Sequence, residues 1–315
     1  MFSFSLLKSL SSKNDVHCIT LSDLKTQEGL VSAEVYPVVE CGKKYRHVSR
    51  YLLYQSFSII APGRLDSKIL NYDWDSVVVD HLRSFGMIRP FLSRLKYRNL
   101  YYVAHNIEHL NRKQKIHFAR NWKDRFVEIL NFGIDRAERQ LIKLADVVYT
   151  LTPFDSYVIR NEFFQQRTAV VSPNLNNAIP KEQPHGNAVL LIGSLEWFPN
   201  RLGVESFLNA LSDKILENRP VIIVGNCPPN FAKKWSRPNL HIHGFVNDLD
   251  SVYAACEYLV VPNIFGTGIK MKIYDGLKRG LKVLSVKESA VGYNEKTKNL
   301  RVFDDVQDIC NFLYE

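Results

Sequence analysis

Val260-Val261-Pro262-Asn263-Ile264-Phe265-Gly266-Thr267-Gly268-Ile269-Lys270-Met271-Lys272-Ile273-Tyr274-Asp275-Gly276 runs a buried strand through a glycine-bearing loop into a helix. Gly266 and Gly268 let the backbone approach an anion with no Cβ in the way. A helix opening at Ile269 offers unpaired N–H groups and the positive end of its dipole. Lys270 and Lys272 add full charges. Lys270 reads as the main side-chain cation; residues two apart on a helix point in different directions, so Lys272 either adds to the same site or faces solvent. Asp275 lies five residues after Lys270, far enough along the helix to reach past a diphosphate to a sugar hydroxyl. A tight strand-to-helix turn with surface lysines fits the same letters, so the rest of the chain must arbitrate.

Working outward, strands are expected near 188–193, 221–225, 240–243, 258–262, 282–286 and 300–303, separated by helical or turn-rich segments. That alternation specifies a parallel sheet covered by helices on both faces. Upstream, strands are expected at 15–21, 75–80, 100–104, 145–151 and 168–171, with an edge strand at 35–39 interrupted by Pro37. Helices are expected over 1–14 and 43–60, and over 111–144 with Phe126, Ile129, Leu130, Ile134, Ala137, Leu141 and Leu144 as its apolar face. Another starts at Thr152-Pro153, a cap followed by proline in the first turn. The stretch 172–186 is rich in Pro, Asn and Gly and lacks periodicity. The chain therefore reads as an α/β protein with a first domain over 1–173, a linker over 174–186 and a second domain over 187–315. Asp80-His81 and His105-Asn106-Ile107-Glu108 end two strands of the first domain, the side on which open α/β sheets bind ligands.

At 315 residues and 46% hydrophobic content the chain buries a large core. No run approaches the roughly 20 apolar residues of a membrane span. The first 13 residues lack the basic start and cleavage pattern of a signal peptide, so a cytoplasmic protein is expected. Five widely spaced cysteines (Cys18, Cys41, Cys227, Cys256, Cys310) without a Cys-x-x-Cys pair argue against a disulfide framework or a zinc site. The net charge of +9 is uneven: residues 1–168 hold 25 Lys and Arg against 17 Asp and Glu, and residues 169–315 hold 16 against 15. Between His81 and Arg125 eleven basic residues face only Glu108 and Asp124, interleaved with aromatic and aliphatic side chains. Such a surface suits an anionic membrane surface or a lipid-diphosphate acceptor, and a plain solvated face is the simpler reading. No nucleic-acid motif accompanies the charge, so nucleic acid is not expected as a partner.

The glycine, Lys-x-Lys and acidic elements, with Lys278-Arg279-Gly280-Leu281-Lys282-Val283, resemble the donor-binding loop of glycosyltransferase family 4, a GT-B family. Three further segments agree in order and spacing: Leu191 to Asn200, Ile223-Val224-Gly225, and His243-Gly244-Phe245-Val246 ahead of Leu249 and Tyr253. The resemblance implies two Rossmann-like domains facing across a cleft. The N-terminal domain is abbreviated, because family members usually place a strand and a glycine-rich loop ahead of the helix with which this sequence starts. It implies transfer of a sugar from a nucleotide-diphosphate donor to a lipid-linked or polysaccharide acceptor, with retention of configuration and without metal or cofactor.

The implied site follows the motifs. His105 lies near the donor sugar, Lys270 stabilises the leaving phosphate, and Asp275 stands where the family has a ribose-binding glutamate. Gly193 and Ser194 abut the diphosphate, which Gly266, Thr267, Gly268, Ile269 and Lys272 help to hold. Arg201 keeps half of a cation pair whose lysine is replaced by Leu202. The backbone of Phe245 and Val246 reads the base, while Trp197, Pro199 and Asn200 shape the loop before a helix. The absent first strand, Asp275 for glutamate and Leu202 for lysine keep a second reading open, a non-catalytic nucleotide-sugar-binding or partner-binding subunit. A nucleotide-sugar epimerase on the same fold is a third.

Overall fold

The structure is a computed structural model that describes residues 12–20, 33–37, 65, 67–119, 121–171, 186–294 and 296–315. The helices expected over 1–14 and 43–60 and most of the expected linker lie outside the described residues. The chain divides into two units, Met1–Val171 and Ser172–Glu315.

In the first unit β1 (Val16–Thr20) and β2 (Ala33–Pro37) form a parallel pair. Pro37 lies opposite Thr20 in this pair, and the rest of the edge strand expected over 35–39 lies outside the described residues. After them come α1 (Ser67–Asn71), β3 (Asp73–Asp80), α2 (Leu82–Ile88), β4 (Lys96–Ala104), α3 (Glu108–Phe118), α4 (Trp122–Leu130), α5 (Gly133–Leu144), β5 (Val147–Thr150), α6 (Pro153–Glu162) and β6 (Thr168–Val170). The sheet order β3-β4-β5-β6 is parallel throughout, with Val77 opposite Leu100 and Tyr102 opposite Val148. Phe85, Leu100, Tyr102, Ile107, Leu141 and Ile159 fill its core. Thr152 caps α6 as its position suggests, its hydroxyl accepting the Asp155 N–H at 3.0 Å.

The helical stretch after Asn111 is corrected in one respect. It is three helices, and the apolar residues of the middle one do not join the core: Phe126 and Ile129 are about half exposed, as is Leu144, while Ile134, Ala137 and Leu141 are buried. Helical spacing shows that residues share a face and says nothing of what that face meets.

The second unit runs β7 (Ala188–Ile192), α7 (Phe198–Ala210), α8 (Asp213–Asn218), β8 (Val221–Val224), α9 (Phe231–Lys234), β9 (Leu240–His243), α10 (Leu249–Ala254), β10 (Cys256–Val261), α11 (Met271–Lys278), β11 (Lys282–Val286), β12 (Leu300–Phe303) and α12 (Val306–Tyr314). All six strands are parallel in the order β12-β11-β10-β7-β8-β9. Alternate residues of the inner strands feed two cores. Val189, Leu191, Ile223 and Val260 pack with Phe207 and Ile309, whereas Leu190, Leu259 and Val283 pack with Ile273 and Leu277. Burial on both faces explains the near-continuous apolar runs that marked these strands in the sequence. The chain moves outward from β7 to β9, then crosses to β10 and moves outward the other way. The strand order therefore reverses between β7 and β10, the point where such sheets bind ligands at the carboxyl ends of the strands.

Candidate functional site

The loops that leave β7 and β10 meet at that reversal. Gly193 follows β7 at φ +134°, a conformation that excludes ordinary side chains. A Cβ there would stand 2.7 Å from Asn200 Nδ2 and 3.3 Å from Lys272 Nζ. Asn200, in the first turn of α7, donates from Nδ2 to the Ser194 carbonyl at 3.0 Å. Its Oδ1 accepts from Asn263 Nδ2 at 2.9 Å and from Lys272 Nζ at 2.9 Å. Lys272 also donates to Asn263 Oδ1 at 3.3 Å. Glycine backbone, two amides and one ammonium are thus gathered from β7, α7, the β10 loop and α11.

The helix begins later than the sequence suggested, and this exchanges the roles of the lysines. Lys270 is the N-cap and α11 starts at Met271, leaving Ile269 in the loop. Lys270 is buried, and its ammonium turns back onto its own loop, donating to the carbonyls of Gly266 and Thr267 at 3.0 Å each and of Gly268 at 3.4 Å. Gly266 at φ +110° and Gly268 at φ +75° allow the turn that presents those carbonyls. Lys270, expected to be the main cation, is therefore the loop's internal brace, and Lys272, the second lysine of the expected site, is the cation aimed at Gly193. Desolvation first and the Lys270 charge second depress Lys272 to about 7. The N–H groups of Met271 and Lys272 make no hydrogen bond among the described residues, as expected for the first turn of a helix.

Asp275 lies one turn further along α11, half-buried, with no hydrogen bond to its carboxylate among the described residues. Burial raises its pKa, opposed by Arg279 and Lys278. Arg279 pairs with Asp250 of α10 at 2.8 Å and lies over the Tyr253 ring, so α10 and α11 are tied beside the carboxylate. Of the two residues expected to read a base, Val246 packs against the core and Phe245 leaves its side chain 78% exposed. A cavity of about 340 Å³ lies at the end of β9, lined by Glu196, Asn226, Cys227, His243 and Gly244 among others. Arg201 stands in the first turns of α7 over the Phe198 ring at 5.7 Å.

The sequence offers no role for Ser289, Tyr293 or Asn263, which bond to this loop, and only a shaping role for Asn200. A strand-end Pro-Asn and a helix-opening Pro-Asn are the signals that were available for the two asparagines.

In the first unit His105 follows β4 as expected, its Nε2 2.6 Å from Asp80 Oδ1 at the end of β3. His81 sits at φ +69° and caps α2 by accepting the Arg83 N–H on Nδ1 at 3.1 Å. With Nδ1 accepting, Nε2 carries the proton and faces Glu108 Oε1 at 3.4 Å. Burial, then the nearby His105 and Arg83, lower His81 to about 4 and keep it neutral. Behind them His109 lies between two carboxylates, with Nδ1 2.9 Å from Glu138 and Nε2 2.9 Å from Glu162. The buried Glu138 also accepts the Glu108 and His109 N–H groups, so it caps α3 from α5.

Residues 186–312 match the model of the family described as Glycosyl transferases group 1. No curated protein matches the chain by sequence. Among solved structures, Anabaena HepE in complex with UDP-glucose aligns over 99% of this chain and 84% of its own at a TM-score of 0.63 and 15% identity. WaaG, a glycosyltransferase involved in lipopolysaccharide biosynthesis, aligns over 100% of this chain and 86% of its own at 0.62 and 13%. S. aureus TarM aligns over 76% of this chain at 0.56 and 12%, and the chain spans only 47% of TarM. The second unit thus carries a domain matched by the group 1 glycosyl transferase model, and the chain as a whole has the GT-B fold of these glycosyltransferases.

Proposed function

We propose that the protein transfers a sugar from a nucleotide-diphosphate donor to a lipid-linked or polysaccharide acceptor, with retention of configuration and without a metal ion. The observation that carries the donor assignment is the convergence of Lys272, the α11 N-terminus and the Gly193 backbone at the sheet's reversal point. Positive groups fixed before the reaction stabilise the charge that grows on a departing diphosphate, each contributing on the order of 3 kcal/mol to the barrier. Asp275 accepts ribose hydroxyls, and the cavity at the end of β9 gives room for the base. HepE is solved with UDP and UDP-glucose, which supports a nucleotide sugar as donor here.

His105, oriented by Asp80, serves the donor sugar and acceptor hydroxyl from the first unit. The acceptor's class rests on the surface of that unit. Trp122, Phe126 and Ile129 share one face of α4 at 72%, 52% and 49% exposure, flanked by exposed Lys123 and Arg125. Aromatic residues among basic ones suit an anionic bilayer that presents a lipid-linked acceptor, and a peripheral protein on the cytoplasmic face. Among the described residues no helix is long and apolar enough to cross a membrane. The test is turnover with UDP-, GDP- and ADP-sugars in the presence of membrane lipid extract and chelator. Labelled sugar in the lipid fraction supports the proposal. Donor binding with no transfer to any acceptor favours a binding subunit, and a changed sugar without acceptor favours an epimerase.

A further inference from the structure

The segment between β11 and β12 is remote in sequence from the donor loop, yet it holds both ends of that loop. Ser289 is completely buried, and its Oγ donates to the Asn263 carbonyl at 2.8 Å, where the loop leaves β10. Tyr293 donates from its hydroxyl to the Lys270 carbonyl at 2.8 Å and accepts the Tyr274 N–H at 3.2 Å, where the loop enters α11. The segment is wound tightly onto the end of β11, with Ser289 N–H and Ala290 N–H bonded to the Val286 carbonyl and Tyr293 N–H to the Ala290 carbonyl.

We propose that Ser289 and Tyr293 are positioning residues for the donor diphosphate, an assignment that rests on the donor-site reading above. The Lys270 side chain makes no cap bond to α11, because its ammonium is committed to the loop carbonyls. The Tyr293 hydroxyl acts in its place. It bridges the N-cap carbonyl to the fourth N–H of the helix and so fixes the direction in which the Met271 and Lys272 N–H groups point. Ser289 fixes the backbone of Asn263, whose amide donates to Asn200 and accepts from Lys272. Neither hydroxyl reaches the anion. Each acts through a group that does.

The test compares the full chain with Tyr293→Phe and Ser289→Ala, both of which remove a hydroxyl and keep the packing. Calorimetry with UDP, GDP and ADP is followed by the nucleoside of whichever diphosphate binds, and hydrogen exchange is read over residues 263–274 of the free protein. Either variant should weaken the diphosphate about tenfold, the worth of one ordinary hydrogen bond, and leave the nucleoside unchanged. In a Lys272→Met background the same substitution should cost less, because the group it positions is gone. Equal losses for nucleoside and diphosphate would reduce the pair to a structural role, and undiminished binding would overturn the proposal outright. If no nucleotide diphosphate binds the unaltered chain, the donor-site reading fails by itself. Exchange then judges the brace: faster exchange in Tyr293→Phe upholds it and unchanged exchange refutes it. Ser289→Ala carries the test if Tyr293→Phe does not fold.

Discussion

Replacing Lys272 with Met removes the ammonium that Asn200 and Asn263 aim at Gly193 and leaves a side chain of similar length. A charged hydrogen bond to a phosphate oxygen is worth about 1.5–3 kcal/mol, so nucleotide-diphosphate affinity should fall roughly 10- to 150-fold. The pH dependence separates this residue from any other cation. Lys272 is lowered from 10.5 to about 7, so the free protein above neutral pH holds it without a proton, while the diphosphate binds the protonated form. Affinity should therefore drop up to tenfold per pH unit above about 7 in the unaltered protein and stay flat in Lys272→Met. Free-protein stability moves the other way. Between the two values the unfolded chain binds the proton and the folded chain does not, so this lysine's contribution improves as pH rises. Calorimetry with UDP, GDP and ADP at several pH values, with unfolding measured on the same samples, reads both trends. The reasoning fails if Lys272→Met keeps the affinity and slope of the unaltered protein, or if Lys270→Met alone abolishes the slope.

Lys270→Met should instead loosen the loop, leaving three carbonyls without their donor and costing about 1–3 kcal/mol of stability in chemical denaturation. Its loss of diphosphate affinity should follow from the disordered loop and show no new pH slope. Exchanging both Trp122 and Phe126 for Ser should weaken binding to vesicles of anionic lipid at least tenfold without lowering Tm, since neither is in the core; sedimentation with neutral and anionic vesicles checks it. His109→Ala leaves Glu138 buried without its partner and should cost about 3–5 kcal/mol near neutral pH. Burial opposes charge on His109, yet Glu138 and Glu162 raise it above 6.5, and burial raises Glu138. The raised His109 value makes the imidazolium's contribution shrink as pH climbs through that value, so the Tm gap to the variant should narrow in alkali.

A strand with both faces buried leaves a near-continuous apolar run, and for that reason 282–286 was legible to the residue. The edge strands 240–243 and 300–303, partly exposed, were placed by their apolar residues between turn-rich segments. Glycines at positive φ leave an equally local mark, as Gly193, Gly266 and Gly268 do. The strand-end His105 was legible because topology alone puts strand ends on the ligand side. The start of α11 was not, because nothing local distinguishes Ile269 from Met271 as the first helical residue when the cap makes no side-chain bond. α4 shows the same limit from the other side: its spacing was read correctly and its environment was not.

The sequence by itself determined two parallel α/β units, a glycine-bearing strand-to-helix loop and the family it resembles. Each of these depends on short-range pattern or on backbone conformation that only glycine adopts freely. Tertiary structure decided which lysine faces Gly193, that Asn200 and Asn263 hold it there, and that Ser289 and Tyr293 fix the loop's two ends. Those outcomes depend on contacts between residues 63 and 72 positions apart, Asn200 to Asn263 and Asn200 to Lys272, and on a helix that begins two residues later than its letters suggest. A side chain's direction is set by the turn on which it sits, and that turn is fixed by bonds from strands that the local sequence does not contain.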